Sequence, residues 1–387
     1  MSSNSSNNSS APQQALIFIP DISGFTKFVT DTEINHAKHI IEELLEILID
    51  SNQIGLEVSE IEGDAILFYR FGKAPSSADM LRQVEEMFSK FHTHLKKYEK
   101  HRICNCGACC TASKLAVKFI AHYGQVSINT IRQYKKLFGK DVIVAHRLLK
   151  NDIDSHEYSL FTENLLMADE TWNKMHEHAW DHVKSSEQEY DSGKVGFTYL
   201  SLHPLKEKLP ELTVEDFSGK GMTSKALETS VIINAPLELV FNVASDITFR
   251  PNWIKGPGVM EEFTDINSVL PQSGQTHKCI ANGPVIVSHD YDVSDHFIAY
   301  RESDGMKSVV YELRRIDDNT TSLKATMFIK KNFIMGTMFS LFMKKKVKAL
   351  YDKCWQNLKL YCEKLVNEGK EHPFKIQLKP SVIEAAA

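Results

Sequence analysis

The first 205 residues alternate short apolar runs with longer segments whose apolar residues recur at helical spacing. The pattern predicts, in chain order, a strand over 16–20, a helix over 36–49, a hairpin over 56–69 turning at Gly63, a helix over 78–98, a strand over 116–121, a helix over 141–150 and a strand over 196–202. This β-α-β-β-α-β order indicates a ferredoxin-like α+β domain.

The remaining residues have a different pattern. A strand is predicted over 227–233, a helix from Pro236, several short strands to about 329 and a long helix over 333–368. Prolines, glycines and interspersed charges before them indicate a linker. The predicted divisions are a disordered tail over 1–14, a first domain over 15–205, a linker over 206–224, a second domain over 225–368 and a tail over 369–387.

Composition limits the class of protein. The 387 residues are 42% hydrophobic and 25% charged, with a net charge of −5, which argues against a nucleic-acid binder with a broad basic surface. No apolar run reaches the ~20 residues of a membrane span. The Ser/Asn-rich N-terminus lacks the basic and apolar regions of a signal peptide. Seven cysteines, four of them clustered, favour a reducing cytoplasm over a disulfide framework.

Two acidic residues lie in glycine turns at the ends of apolar strands. Asp21 follows an apolar run and precedes Ile22-Ser23-Gly24-Phe25-Thr26, and Asp64 follows Gly63 just before the next run. A carboxylate there can hold a hard cation, and the turn amides can face phosphate oxygens. The alternative is that both acids are only turn residues of an inactive domain.

Together these segments resemble the catalytic domain of class III nucleotide cyclases. Lys118–Val126 and Gly139–Leu148 are similar to two further motifs of that family, so the resemblance covers about 15–205. It implies two Mg²⁺ or Mn²⁺ ions, a nucleoside triphosphate and a homodimer, because sites of this family form between two copies. By the resemblance, the metals are bound by Asp21, Asp64 and the Ile22 carbonyl, and the triphosphate by amides of Gly24, Phe25 and Thr26.

Four positions decide how much of that chemistry applies. Glu60 and Lys136 occupy the family's two base-reading positions with their charges exchanged, so they either contact an unusual base or pair with each other. Ile143 replaces the asparagine that orients the ribose and cannot form its hydrogen bond. Arg147 matches the arginine that stabilises transition-state charge, although it could also be an ordinary helix-surface residue.

The segment Cys104-Asn105-Cys106-Gly107-Ala108-Cys109-Cys110 has no counterpart in the cyclase motifs. Cys104, Cys106 and Cys109 could bind zinc, with His101 or Cys110 as a fourth ligand. A redox-responsive thiol patch and ordinary loop cysteines remain open.

The second domain resembles the START-like helix-grip family through Ile233-Asn234-Ala235-Pro236 and the spacing of Asp246, Pro251 and Trp253. The resemblance implies a curved sheet around a long helix, with a cavity for an apolar small molecule or lipid unless side chains fill it. Lining candidates are Trp253, Phe263, Tyr291 and Phe339; His277 and His289 are expected to be surface or satisfied residues. The apolar, lysine-rich segment 332–348 is expected to pack into the grip rather than to dock on a membrane.

Three functions follow from these resemblances. The favoured one is a non-catalytic signalling protein that binds a nucleotide–metal complex and an apolar ligand. The second is an active cyclase of unusual base specificity. The third is a lipid carrier whose first domain serves for dimerisation.

Overall fold

The computed structural model describes residues 11–131, 133–190, 193–211, 222–256, 259–266, 268, 270–330 and 343–371. Most of the predicted tails and linker, and residues 332–342 of the predicted amphipathic segment with Phe339, lie outside the described residues. Backbone contacts divide the chain into two compact units, each with its own sheet.

The first half of the chain builds the larger sheet. Its helices and strands are β1 (Gln13–Ser23), α1 (Phe25–Asp31), α2 (Ile34–Asp50), β2 (Glu57–Glu62), β3 (Ala65–Phe71), α3 (Ser77–His101), α4 (Gly107–Thr111), β4 (Ala116–Ile131), β5 (Tyr134–Phe138), α5 (Lys140–Arg147), β6 (Tyr158–Thr162), α6 (Glu163–Ala168), β7 (Lys184–Tyr190), β8 (Gly193–Ser201) and α7 (His203–Lys206).

Among the described residues, eight strands join in the order β2-β3-β1-β4-β6-β8-β7, with β5 paired to β4. The segment β2-β3-β1-β4 is antiparallel throughout. This is the strand order of a ferredoxin-like core, so the predicted fold is confirmed. The pattern did not predict β5, β6 and β7.

The central strand β1 is buried on both faces. Leu16, Ile17, Phe18 and Ile19 are at most 1% exposed. Phe18 stacks on Phe119 of β4 with ring centroids 5.7 Å apart. Covering both faces of the strand explains why its sequence is a continuous apolar run rather than an alternating one.

The second half contains β9 (Ser224–Ile233), α8 (Leu237–Ser245), β10 (Val259–Thr264), β11 (Gln275–Ile280), β12 (Ile286–Val293), β13 (Phe297–Ser303), β14 (Lys307–Asp317), β15 (Thr320–Ile329) and α9 (Lys344–Asn367). In the described part, seven antiparallel strands follow the order β10-β11-β12-β13-β14-β15-β9.

Helix α9 packs against β9 of this second sheet. Trp355, Leu358 and Cys362 are at most 3% exposed and lie one helical turn apart. The Trp355 indole donates a hydrogen bond to Thr229 Oγ1 at 2.8 Å, which fixes the helix on the strand. A long helix held by an antiparallel sheet is the predicted helix-grip arrangement, which is confirmed. No helix in the described ranges combines the length and apolarity needed to cross a membrane.

Candidate functional site

Asp21 and Asp64 lie close together at one end of β1. Asp21 pairs in register with Ala65, the residue that follows Asp64. The Ile22 amide donates to the Asp64 carbonyl at 3.0 Å, which ties the β2–β3 turn to the end of β1. The fold thus brings together the two carboxylates that the sequence nominates as metal ligands.

Neither carboxylate is fully solvated. Burial raises the pKa of Asp21, and the neighbouring Lys118 partly opposes that rise. Burial and then the charge of Asp21 raise the pKa of Asp64. A nearby cation favours the charged form of a carboxyl group, so this donor pair fits a hard divalent ion.

Lys118 is a site residue that the sequence patterns did not identify. It lies opposite Asp21 in the β1–β4 register, and its Nζ is 3.5 Å from Asp21 Oδ1. The same ammonium donates to the Leu149 carbonyl at 3.0 Å. A protein cation therefore neutralises part of the charge that a metal ion would use.

The predicted phosphate cradle lies at the start of α1. Gly24 has a φ of +90°, which favours glycine. Gly24 and Thr26 are exposed, Phe25 is half-buried and Ile22 is fully buried. The first-turn amides of a helix have no intrahelical acceptor. The amides that the sequence analysis assigns to the phosphate cradle can therefore donate hydrogen bonds to phosphate oxygens.

The two nominated base-reading residues bind each other. Lys136 on β5 and Glu60 on β2 approach to 2.9 Å between Nζ and Oε2. The hydrogen bond to Glu60 raises the pKa of Lys136. The structure therefore shows Glu60 and Lys136 as an ion pair, which is one of the two alternatives that the sequence left open.

Helix α5 carries the two positions that bear on catalysis. Val142, Val144 and Ala145 face the core, whereas the Ile143 side chain is 53% exposed. Arg147, in the last turn, is half-buried. Its charge partly opposes the rise that burial and Asp152 cause in the pKa of Tyr190. Arg147 thus carries the positive charge that stabilisation of a transition state would require, whereas Ile143 has no polar group that could bind a sugar.

A buried histidine explains why two of the cyclase-like motifs belong together. His122 is hydrogen-bonded to Asp141 Oδ1 at 3.1 Å and to Thr162 Oγ1 at 2.9 Å. The Gln125 amide donates to Asp141 Oδ2 at 2.7 Å. A Cβ at Gly124 would lie 2.3 Å from Asp141 Cγ. The His-Tyr-Gly motif is therefore a structural link between β4 and α5.

Three of the clustered cysteines form one group. The sulfur atoms of Cys104, Cys106 and Cys109 all lie within 4.8 Å of one another. Each of the three residues is at most 4% exposed. This cluster of three cysteines could bind a metal ion. Neither His101 nor Cys110, the fourth ligands that the sequence suggested, belongs to this group of described residues, so that detail of the sequence prediction is wrong.

The thiols of this cluster affect one another. The Cys104 thiol and burial together raise the pKa of Cys106 to about 12, while Cys109 opposes the rise. Cys104 and Cys106, together with burial, raise the pKa of Cys109 further. Metal binding to cysteine releases the thiol proton, so binding at this cluster should depend on pH.

The second unit contains a cavity of about 170 Å³. Aromatic side chains dominate its wall: Trp253, Tyr300, Tyr311, Tyr351 and Trp355. Apolar cavities of about 150 Å³ are known to bind a benzene-sized molecule. The space left by the sheet and α9 is therefore large enough for a small apolar ligand.

Of the nominated lining residues in the described ranges, only Trp253 lines this cavity. Phe263 lies behind the wall, stacked on His277 with centroids 5.9 Å apart. Tyr291 also lies behind it, stacked on Tyr300 with centroids 5.4 Å apart. The prediction that Phe263 and Tyr291 line the cavity is therefore wrong, because their rings pack against residues of the wall instead of forming it.

The cavity wall includes a buried ion pair that the sequence did not reveal. Arg250 and Glu302 approach to 2.5 Å and are 3% and 7% exposed as side chains. Burial would raise the pKa of Glu302, but Arg250 and His277 hold it below its usual value. Tyr311 donates to the same carboxylate at 3.1 Å. The pair thus places charge at a mostly aromatic wall.

His277 completes this polar group. Its Nε2 lies 3.0 Å from an Arg250 nitrogen, and the residue is 1% exposed. Burial and the Arg250 charge lower its pKa to about 4. Its Nδ1 has no hydrogen-bond partner within the described residues. The expectation of a surface or satisfied histidine is therefore wrong for His277, whereas buried His289 is hydrogen-bonded to Ser303.

Two family descriptions match parts of the chain. Residues 41–158 match "Protein of unknown function (DUF2652)", and residues 225–363 match "Polyketide cyclase / dehydrase and lipid transport". Over 121 residues the chain is 33% identical to the "Uncharacterized protein Rv2561/Rv2562" of Mycobacterium tuberculosis, which is 31% of this chain and 56% of that protein. The chain thus spans about half the length of this curated relative.

Solved cyclase structures are similar to the chain over about half its length. A bacterial light-regulated adenylyl cyclase is 16% identical, with 51% of this chain and 56% of that chain covered and a TM-score of 0.38. The adenylyl cyclase CyaB from P. aeruginosa is 11% identical, with coverages of 50% and 96% and a TM-score of 0.33. The catalytic core of a rhodopsin-guanylyl cyclase with converted specificity, in complex with ATPαS, is 14% identical, with coverages of 50% and 99% and a TM-score of 0.34.

Proposed function

We propose that this chain is a divergent cyclase-like signalling protein. Its first domain binds a nucleotide–metal complex without turning it over efficiently, and its second domain binds a small apolar ligand. The observation that carries the proposal is the contrast between a metal-competent acid pair and base-reading positions that bind each other.

The acids support metal and phosphate binding. Asp21 and Asp64 would hold Mg²⁺ or Mn²⁺, whose charge would neutralise the phosphates of a nucleotide. The amides of Gly24, Phe25 and Thr26 would orient those phosphates. Lys118 competes for Asp21 at 3.5 Å, which should weaken metal binding unless the ammonium moves.

The other residues of the predicted nucleotide site do not favour efficient catalysis. Glu60 and Lys136 neutralise each other, so a base must break their ion pair before it can contact either. Ile143 cannot orient a ribose, and the loss of positioning removes a large part of the catalysis available to such sites. The arrangement suits binding better than turnover.

Titration calorimetry with Mn²⁺ and a non-hydrolysable nucleoside triphosphate tests the first part. We expect binding that Asp21→Asn and Asp64→Asn each abolish. Asp152→Asn is a control because its side chain is outside the nominated site. Wild-type protein that binds no triphosphate in the presence of Mn²⁺, or that binds it equally well in both variants, would refute this function.

Active cyclase function is the second candidate, and the observation in its favour is Arg147, which is half-buried in α5 at the position that matches the family's transition-state arginine. Incubation with each of the four nucleoside triphosphates and Mn²⁺ or Mg²⁺ separates the two. A cyclic product that disappears in Asp21→Ala and Asp64→Ala would establish the cyclase and name its base. Binding without product would support the signalling protein.

The cavity of the second domain supports a small apolar ligand. Ala244 lines it and is 2% exposed, so Ala244→Leu should fill part of the 170 Å³. A thermal-shift screen of small aromatic compounds should find stabilisers of the wild type that lose their effect in this variant. Equal stabilisation of both proteins would place binding outside the cavity.

A homodimer belongs to the same proposal. Phe138 on β5, Ile143 on α5 and Ile61 on β2 are large apolar side chains that are 67%, 53% and 49% exposed. A second copy could cover them. Light scattering should give the dimer mass for wild type and the monomer mass for Phe138→Asp, and a monomeric wild type would contradict this part.

A further inference from the structure

We propose that Cys104, Cys106 and Cys109 form a zinc site. This site is independent of the nucleotide–metal site proposed above. Its ligands are sulfur, whereas those of the acid pair are oxygen. The two sites therefore select different ions.

The arrangement of donors fits a tetrahedral ion. Zinc–sulfur bonds of about 2.3 Å require sulfur atoms about 3.8 Å apart in a tetrahedron. The three sulfur atoms already lie within 4.8 Å of one another, so each pair needs to close by about 1 Å at most. Side-chain rotation can supply such a movement without moving the backbone.

The local backbone supports the thiolates. Cys106 precedes α4, and the Cys109 amide lies 3.4 Å from Cys106 Sγ, to which it donates. The next amide, of Cys110, donates to the Cys106 carbonyl at 3.0 Å. The bond from the Cys109 amide reaches the ligating sulfur itself, and such a bond fixes the orientation of a ligand and stabilises its charged form. The Cys106–Cys109 spacing thus forms a half-site that places two sulfurs on one side of a short helix.

The chemistry of the set favours zinc. Three thiols, without a carboxylate, suit zinc rather than magnesium or calcium. All three residues are at most 4% exposed, which shields the site from solvent. All seven cysteines of the chain are reduced thiols, so no disulfide occupies the donors.

Metal analysis of the full-length protein, purified under reducing conditions without chelator, provides the test. We expect about one zinc ion per chain by plasma mass spectrometry. Cobalt exchanged into the site should show thiolate-to-cobalt charge transfer and the strong ligand-field bands of tetrahedral coordination. Asp21→Asn and Asp64→Asn should keep the zinc, which separates this site from the proposed nucleotide site.

Variants identify the ligands. Cys104→Ser, Cys106→Ser and Cys109→Ser should each lower the zinc content and the charge-transfer intensity. Cys110→Ser is the matched control, because it changes the neighbouring thiol and should leave zinc unchanged.

Several results would overturn the proposal. Wild-type protein free of zinc, with octahedral cobalt spectra, would do so even if every variant misfolded. Zinc that persists in a triple Cys→Ser variant would place the ion elsewhere. A disulfide among the three cysteines in protein isolated under reducing conditions would assign the cluster to redox chemistry instead.

Discussion

The buried ion pair of the second domain gives the sharpest prediction of a stability change. Glu302→Gln keeps the shape of the side chain and removes its charge. Arg250 would then remain 3% exposed, with the Ala244 carbonyl at 3.0 Å and His277 as its other partners. We expect the variant to be destabilised because a cation would stay buried without its counter-ion.

The magnitude follows from the burial of both partners. Removing one member of a buried pair typically costs about 3–5 kcal/mol, whereas replacing both with apolar residues is nearly neutral. For a domain of this size the loss corresponds to a fall in melting temperature of roughly 10 °C. Arg250→Met with Glu302→Leu should therefore be much more stable than Glu302→Gln alone.

Native-state hydrogen exchange of the β13 and β14 amides provides the assay, since it confines the measurement to this domain. Asp352→Asn is the matched control: Asp352 pairs with Lys348 at 2.7 Å, but the two side chains are 46% and 53% exposed. Such a pair contributes about 0–1 kcal/mol. The reasoning fails if Glu302→Gln loses less than about 1 kcal/mol, or if the double variant is as unstable as the single one.

Three further predictions concern single residues. The pKa of His277 is lowered from 6.5 to about 4, so its contribution to stability, roughly 3 kcal/mol, is present above pH 6.5 and lost as the pH falls towards 4. In urea denaturation at a series of pH values, the free energy of unfolding should therefore fall less steeply for His277→Gln than for the wild type. Parallel curves for the two proteins would contradict this. Gly124→Ala should lose about 1–3 kcal/mol because its Cβ would meet Asp141, and an unchanged melting temperature would show that Asp141 can move away. Lys118→Gln should tighten Mn²⁺ binding roughly tenfold or more, because the charges of Lys118 and Asp21, 3.5 Å apart, interact by about 1–4 kcal/mol. Weaker Mn²⁺ binding by this variant in calorimetry would refute competition between Lys118 and the metal ion for Asp21.

The sequence was sufficient for features encoded by neighbouring residues. Periodicity located α2 and α3 because each buries one face along its whole length. Asp21 and Asp64 could be identified because each lies in a glycine-containing turn at the end of an apolar strand. The side chains of β5 and β7 carry weaker patterns, since Phe138 and most of β7 are exposed, and periodicity does not mark a strand with a solvated face.

Contacts between distant segments were not predictable in this way. Lys118 reaches Asp21 only because the β1–β4 register places them opposite each other. Arg250 and Glu302 are 52 residues apart and meet only after β13 is in place. In each case the partner is set by tertiary structure, which a single sequence pattern does not contain.

Lys118 links the proposed function to its physical cause. In that proposal metal ions neutralise the acid pair, but an ammonium on the adjacent strand already supplies part of the neutralisation. Binding of a nucleotide–metal complex would then require Lys118 to exchange Asp21 for another partner, such as a phosphate oxygen. We infer that metal and nucleotide bind cooperatively: the metal alone must displace the ammonium, whereas a triphosphate offers that ammonium a new anion. Strong Mn²⁺ binding without nucleotide would refute this inference, and Mn²⁺ affinity that rises with triphosphate concentration in wild type but not in Lys118→Gln would support it.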